Sequence, residues 1–355
     1  MSESIQPNPL FPPSTIVHQR RVRYAGKHPR RFEEKYKEHQ QQGDTVAKVL
    51  ASGKTPAGTH RPIMVAEILS VLEPQAGEVA VDCTLGYGGH AEAILAALQP
   101  GGRLVGLDAD PIELPKTEAR LRALGFGPAT FTAHRTNFAG LPRVIAETGL
   151  TGVDLVLADL GVSSMQIDNP ARGFSVKDAG PLDMRMNPQR GRPASVLIAK
   201  IQPDALAQML VENADEPHAT RLAASLAGRQ FATTSALGEA IRQALPRVTR
   251  EEVGLSVRRV FQALRIAVND ELSALTTLLQ QLPQVLNPGG RVAILTFHSG
   301  EDRRVKRAFE AGLQAGVYAA ISREVLRPSA AERRENTRSS PAKLRWARIA
   351  PKSKV

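Results

Sequence analysis

Asp82-Cys83-Thr84-Leu85-Gly86-Tyr87-Gly88-Gly89-His90 joins a short apolar run to a helical pattern. Glycines at such a junction let backbone approach a ligand closely, and free N–H groups at the helix start favour a carboxylate or phosphate. Asp108 ends the next apolar run, where its carboxylate could accept both ribose hydroxyls of a nucleoside. The two features together fit either a nicotinamide dinucleotide or S-adenosylmethionine. Counting G-x-G-x-x-G from Gly86 puts Ala91 in the third glycine position, which the looser fingerprint tolerates. Asp82 discriminates between them, because an acid at the head of the loop suits a cationic cofactor better than a pyrophosphate.

A second segment carries chemistry of another kind. Ile167 to Ser175 and Gly180 to Met186 form neither a helix nor a strand pattern, since Pro170, Gly173, Gly180 and Pro181 interrupt both. Phe174, Leu182, Met184 and Met186 nevertheless demand burial, with Asp168, Arg172, Asp183 and Arg185 set between them. Plain connectors are short and polar, so a long loop holding both anchors and charges is expected to face a ligand. It follows an apolar run that ends in Asp159, and ligands of open parallel sheets bind where strands end.

The elements that must position these residues alternate. Strands are expected at 79–83, 103–107, 130–133 and 153–158, separated by helices at 90–98, 113–124 and 141–148. This order predicts an α/β fold with a doubly wound, mostly parallel sheet. From 165 to 275 the pattern is helical only, with helices expected at 204–213, 218–226, 236–244 and 260–282. A fifth strand follows at 291–297, and 317–323 with 344–349 could close the sheet as an antiparallel pair. The expected organisation is therefore an N-terminal extension at 1–59, a sheet domain at 60–164 and 276–355, and an inserted helical domain at 165–275.

Composition agrees with that division. The 355 residues are 42% hydrophobic, enough for a sizeable core, but only 4% aromatic, so that core rests on Leu, Val, Ile and Ala. The net charge of +11 is concentrated at the two ends. Residues 1–60 hold 10 Lys and Arg against 5 Asp and Glu, and residues 301–355 hold 14 against 6. Basic arms around a near-neutral body suggest a polyanion such as nucleic acid, with solvation of the tails as the competing reading. The single cysteine, Cys83, excludes an intramolecular disulfide and a multi-cysteine metal site, and no metal is expected. The absence of an apolar run of about 20 residues, or of an apolar signal core, leads to the expectation of a cytoplasmic protein with no membrane contact.

With these residues in view, the chain resembles the bacterial 16S ribosomal RNA cytosine-N4 methyltransferase family. The resemblance is carried by His60-Arg61-Pro62-Ile63-Met64, the loop from Asp82 to His90, the stretch from Asp159 to Asp168, and Arg172-Gly173-Phe174-Ser175. It continues through Gly180 to Met186, Phe261 to Leu272, and Phe297-His298-Ser299, covering about residues 60–350 in order. The resemblance implies a class I methyltransferase fold, S-adenosylmethionine as donor, and a decoding-site cytidine of 16S rRNA in the small ribosomal subunit as acceptor. It further implies that Gly88, Gly89 and His90 cradle the methionine part of the cofactor. Asp108 would hold the ribose, Phe138 would lie near the adenine, and Asp159 and Gln166 would complete the pocket. The chain departs from the family pattern in four places: Gly300 after His298-Ser299, Ala214-Asp215-Glu216-Pro217, Leu255-Ser256, and a looser version of the basic ending from Asn336 to Arg345. Residues 1–59 lie outside the resemblance.

An exocyclic cytosine amine is a poor nucleophile, so the site needs a group that accepts its N–H and the developing positive charge. Asp159 is the first candidate, with cofactor contact as its alternative task. His298 could hydrogen-bond the base or carry a proton, or could satisfy local backbone instead. Asp183 and Arg185 could read a flipped cytosine or form a structural ion pair. Arg303, with Arg304, Lys306 and Arg307, is a candidate phosphate contact. Two other functions share these features: an assembly factor that kept the fold without the chemistry, and a nicotinamide oxidoreductase. The residues leave the oligomeric state open between monomer and homodimer.

Overall fold

The computed structural model describes residues 62–351, so the basic arm expected to contact RNA lies outside the described residues. The first half alternates helix and strand as expected. Helix α1 (Val65–Leu72) leads into β1 (Val79–Asp82), α2 (Gly89–Ala97), β2 (Arg103–Asp108) and α3 (Leu114–Ala123). Strand β3 (Phe131–Arg135), α4 (Leu141–Glu147) and β4 (Val153–Asp159) follow. Seven helices then come before the next strand: α5 (Ser164–Asp168), α6 (Ala194–Lys200), α7 (Pro203–Ala214), α8 (Ala219–Leu226), α9 (Thr234–Ala244), α10 (Arg250–Asn269) and α11 (Glu271–Val285). The chain closes with β5 (Leu286–Thr296), α12 (Ser299–Gln314), β6 (Tyr318–Ile321), α13 (Ala330–Glu335) and β7 (Lys343–Ile349).

The strands form one seven-stranded sheet in the order β3-β2-β1-β4-β5-β7-β6. Neighbours from β3 to β5 pair in parallel, while β7 runs antiparallel to both β5 and β6. The two late segments thus form the expected antiparallel pair. Because β1 pairs with β2 on one side and β4 on the other, the strand order reverses there, and a crevice opens beyond their carboxyl ends. Asp82 and Asp159 are the last residues of those two strands.

Alternation along each strand builds two layers. Val81, Val105, Val156 and Ile294 pack on one face with Leu141, Val144, Leu278 and Leu282 from the helices. Ala80, Leu104, Leu155 and Leu295 pack on the other with Ile68, Leu72, Ile94 and Leu121. Each Leu, Ile or Val so buried contributes roughly 1.5–3 kcal/mol, which makes strand register costly to shift. The helices after β4 share a third apolar cluster, from Leu182 to Leu264, that includes Ile198, Leu210, Leu222, Leu237 and Val260. Helix α11 packs instead on the sheet, through Leu275, Leu278 and Leu282.

The single helix expected at 260–282 is two. Asp270 adopts a left-handed backbone (φ 54°) and donates its N–H to the Ile266 carbonyl, ending α10 and starting α11. An apolar stripe that continues through the break had hidden it. Helix α10 also begins earlier than expected, at a capping box in which Thr249 and Glu252 bond each other's backbone N–H. Helices α6 and α12 were not anticipated.

Candidate active site

A cleft of about 890 Å³ lies beyond the carboxyl ends of β1, β2 and β4, facing α10 and the loop that follows α5. The glycine loop forms its base. Gly86 and Gly88 have positive φ (50° and 80°), and Gly88 caps the start of α2. A Cβ on Gly88 would stand 2.8 Å from Thr117 Cγ2, and one on Gly89 would stand 2.9 Å from Pro62 Cγ. Both glycines are therefore required by close packing of the loop on α3 and on Pro62. Helix α3 also holds the loop directly: Thr117 Oγ1 donates to the Gly86 carbonyl and Arg120 Nε to that of Tyr87. Neither Thr117 nor Arg120 was singled out from sequence.

Four of the expected cofactor groups are polar, and the structure sets each one differently. Asp108 Oδ2 accepts from the Gly86 N–H and Oδ1 from the Asp110 N–H, both at 2.8 Å. One lone pair on each oxygen is left over, and burial pushes the carboxyl up to about 6. His90 is buried, with Nε2 2.8 Å from the Ile63 carbonyl and Nδ1 3.6 Å from Asp159 Oδ2. Burial lowers its pKa, against the opposing pull of that carbonyl and of the Asp82 and Glu332 charges. Gln166 sits in a capping box with Ser163 and donates Nε2 to Asp110 Oδ2 at 2.8 Å. Phe138 lines the cleft and packs on the sheet core.

Asp159 is the most unusual group present. Its backbone N–H donates to Thr84 Oγ1, and its Oδ1 is buried with no hydrogen-bond partner among the described residues. Burial, reinforced by the Glu301 charge, pushes its carboxyl up to about 7. Asp82 takes a different position from the one expected. It is 1% exposed, does not line the cleft, and accepts from the Thr84 N–H. It therefore acts on the site indirectly, by holding Thr84 against the Asp159 backbone and through its charge on His90, Asp159 and Asp108.

The opposite wall holds a buried ionic network. Arg265 Nε and Nη2 donate to the two carboxylate oxygens of Glu271, each at 2.8 Å. Asn269 clamps the loop by accepting from the Met186 N–H and donating to the Met184 carbonyl. Arg172, 7% exposed, pairs with Asp110 at 2.7 Å and donates to the Arg185 and Met186 carbonyls. This buried pair fastens the long loop to the end of β2. Asp110 was missed as a site residue, and Arg172 was read only as one charge of the long loop, because each gains its meaning from a partner 62 residues away. Arg265, Asn269 and Glu271 stand on the helix faces expected to meet the sheet domain or RNA, and they line this wall.

The remaining candidates divide. Arg185 lines the cleft in a two-pronged bond to Asp183, whereas Asp183 itself stands behind it. His298 lies outside the cleft lining, its Nε2 3.2 Å from Glu301 Oε1, and Glu301 accepts the Phe297 N–H at 2.8 Å. Although burial alone would raise the Glu301 pKa, its bond and charge interaction with His298, together with Arg265, hold it below the usual carboxylate range. Arg303 points away from the cleft to Asp215, which also accepts from Ser299 Oγ at 2.6 Å. The adjacent Glu216, 2% exposed, accepts from Ser256 Oγ at 2.9 Å.

An acid at the end of β2 and a glycine loop over a sheet's switch point define an α/β protein of the class that binds nucleoside cofactors at strand ends. Comparison with known proteins narrows that class. Residues 57–350 match the MraW methylase family. Ribosomal RNA small subunit methyltransferase H 1 of Lachnoclostridium phytofermentans is 47% identical over 342 residues, covering 93% of this chain and 93% of that protein. Ribosomal RNA small subunit methyltransferase H 2 of Alkaliphilus metalliredigens is 49% identical over 340 residues, covering 93% and 97%. The corresponding protein of Halorhodospira halophila is 44% identical over 264 residues, covering 73% and 80%. The chain belongs to the MraW methylase family. A 93% cover is more than residues 57–355 can supply, so the first two relatives also align with part of the N-terminal extension.

Proposed function

We propose that this protein transfers a methyl group from S-adenosylmethionine to the exocyclic N4 amine of a cytidine in the decoding region of 16S rRNA. The observation that carries the reading is Asp159, a partly exposed carboxyl that lines the cleft at the end of β4 and, among the described residues, has no cation bonded to it at hydrogen-bond distance. The small-subunit rRNA named in the relatives supports the substrate class. The cleft suits the donor: Asp108 keeps one lone pair on each oxygen for a ribose diol, and the acid at Asp159 favours a cation nearby. Gly88, Gly89 and His90 would hold the methionine part, Phe138 the adenine, and Gln166 would close the side wall.

When bound, S-adenosylmethionine supplies an electrophilic methyl group on sulfur. The chain must then position the amine and remove its proton. The Asp159 carboxylate, through the part of it that faces the cleft, accepts an N–H of the amine, draws the nitrogen lone pair out of conjugation with the ring, and takes the proton that is shed. A carboxylate with a pKa near 7 is matched to that task at neutral pH. Arg185, held in a fixed fork by Asp183, faces the cleft and contacts the base once it has left its stack. His298, tied to Glu301, shapes the start of α12 and leaves proton transfer to Asp159.

The test uses small subunits that lack the modification and a donor carrying a labelled methyl group. The product, digested to nucleosides, should contain labelled N4-methylcytidine, and the Asp159→Ala protein should give none. Absence of label on every assembly stage of the subunit would overturn the reading. Retention of S-adenosylhomocysteine without transfer would favour the assembly-factor role.

A further inference from the structure

Most cleft arginines are already neutralised. Arg265 is paired with Glu271, Arg185 with Asp183, Arg338 with Asp168, and Arg143 with Glu147. Arg135, Arg190 and Arg258 are exposed, line the same cleft, and have no carboxylate partner among the described residues. They come from three separate elements: the end of β3, the loop before α6, and the wall helix α10. An exposed guanidinium is stable in water without an acid, so it is the convergence of three free forks on one mouth, and not their lack of partners, that suits the mouth to a polyanion.

The wall helix gives the arrangement a depth. Arg258 and Arg265 are seven residues apart on α10, two turns along one face, or about 10 Å. Arg265 is locked at the buried end, and Arg258 lies towards solvent. That separation is comparable to the reach from a backbone phosphate to the far edge of its own base. Guanidinium forks match phosphate oxygens in geometry, and phosphate contacts fix register without reading sequence.

We propose that Arg135, Arg190 and Arg258 form a phosphate grip that holds single-stranded RNA across the cleft mouth, with the acceptor base directed inward. This rests on the RNA-methyltransferase reading and adds the residues that set the strand's position. It moves the phosphate contact away from α12, where Arg303 is held by Asp215 and Arg304 donates to the Gly300 carbonyl.

The test is fluorescence anisotropy of a short labelled single-stranded RNA containing cytidine, titrated with the full chain over a range of salt. Each lost phosphate contact flattens the plot of log affinity against log salt by about 0.7. The triple variant Arg135→Ala, Arg190→Ala, Arg258→Ala should therefore have a slope shallower by about 2. Over a rise from about 50 to about 200 mM salt, the unaltered chain should lose about 16-fold more binding than the variant. The matching triple lysine variant, which keeps the charge, should restore the slope and shows that loss of fold is not the cause. A triple alanine variant of Arg303, Arg304 and Arg307 should leave it unchanged. If the unaltered chain binds but the cleft variant keeps its slope, or if the α12 variant is the one that flattens it, the grip is wrong and the RNA reading survives. If the unaltered chain binds no RNA, the grip falls, and the methyl-transfer assay on small subunits decides the RNA reading separately.

Discussion

Replacing Asp159 with Asn should make the protein more stable and less active, and the gain in stability should depend on pH. In the unfolded chain this carboxyl titrates at roughly 4. In the fold it is pushed up to about 7, because burial penalises its charge and the Glu301 carboxylate repels it. A raised folded-state value means that the protonated form favours folding. The stabilisation is fully present below about pH 4 and is lost as pH rises through 7. Integrated over that interval, the loss is on the order of 4 kcal/mol. Asparagine cannot ionise, so the variant avoids it. Urea unfolding of the protein without added donor, followed by circular dichroism, should show a stability difference that is negligible near pH 4. It should grow mostly between pH 5 and 7 and then level off. Methyl transfer by the same variant should fall by about 100-fold or more. A stability difference independent of pH, or a variant less stable at pH 8, would refute the placement of an uncompensated carboxyl at this point.

Three further outcomes follow from the packing. Gly88→Ala forces a side chain onto a left-handed backbone and into Thr117, so it should cost about 1–3 kcal/mol in thermal unfolding and weaken donor binding by calorimetry. Glu271→Ala leaves Arg265 buried and unpaired, and denaturant unfolding should record a loss of about 3–5 kcal/mol. Arg172→Met strands Asp110 and frees two loop carbonyls, so amide exchange should accelerate selectively between residues 163 and 186.

The sheet was legible because its information is local. Residues 153–158 read as a buried run, and β4 occupies Val153–Asp159. Gly86, Gly88 and Asp108 were likewise expected at strand ends, and all three line the cleft. Contacts between distant segments were not legible. Arg172 reads as one charge in a mixed loop until Asp110, 62 residues earlier, is found beneath it. Asp82 looked like a ligand acid because it heads the loop, yet as the last residue of a central strand it is buried among neighbours. The break at Asp270 escaped notice because Phe261, Leu264, Val268 and Leu272 keep helical spacing straight through it, although the backbone turns left-handed. The Thr249–Glu252 cap, by contrast, was available as a local signal for the true start of α10.

The corner formed by Asp215 and Glu216 brings together three of the four segments expected to differ from the family pattern. Asp215 engages Ser299, next to Gly300, and Glu216 engages Ser256. These changes therefore make up one interlocking patch, and their effects should be strongly epistatic. Replacing Asp215 would leave Ser299 and Arg303 without their shared acceptor, and replacing Ser256 would remove one donor from buried Glu216, whereas exchanging the whole patch between relatives should be tolerated. Chimeras designed segment by segment would misread this corner; it has to be inherited as a block.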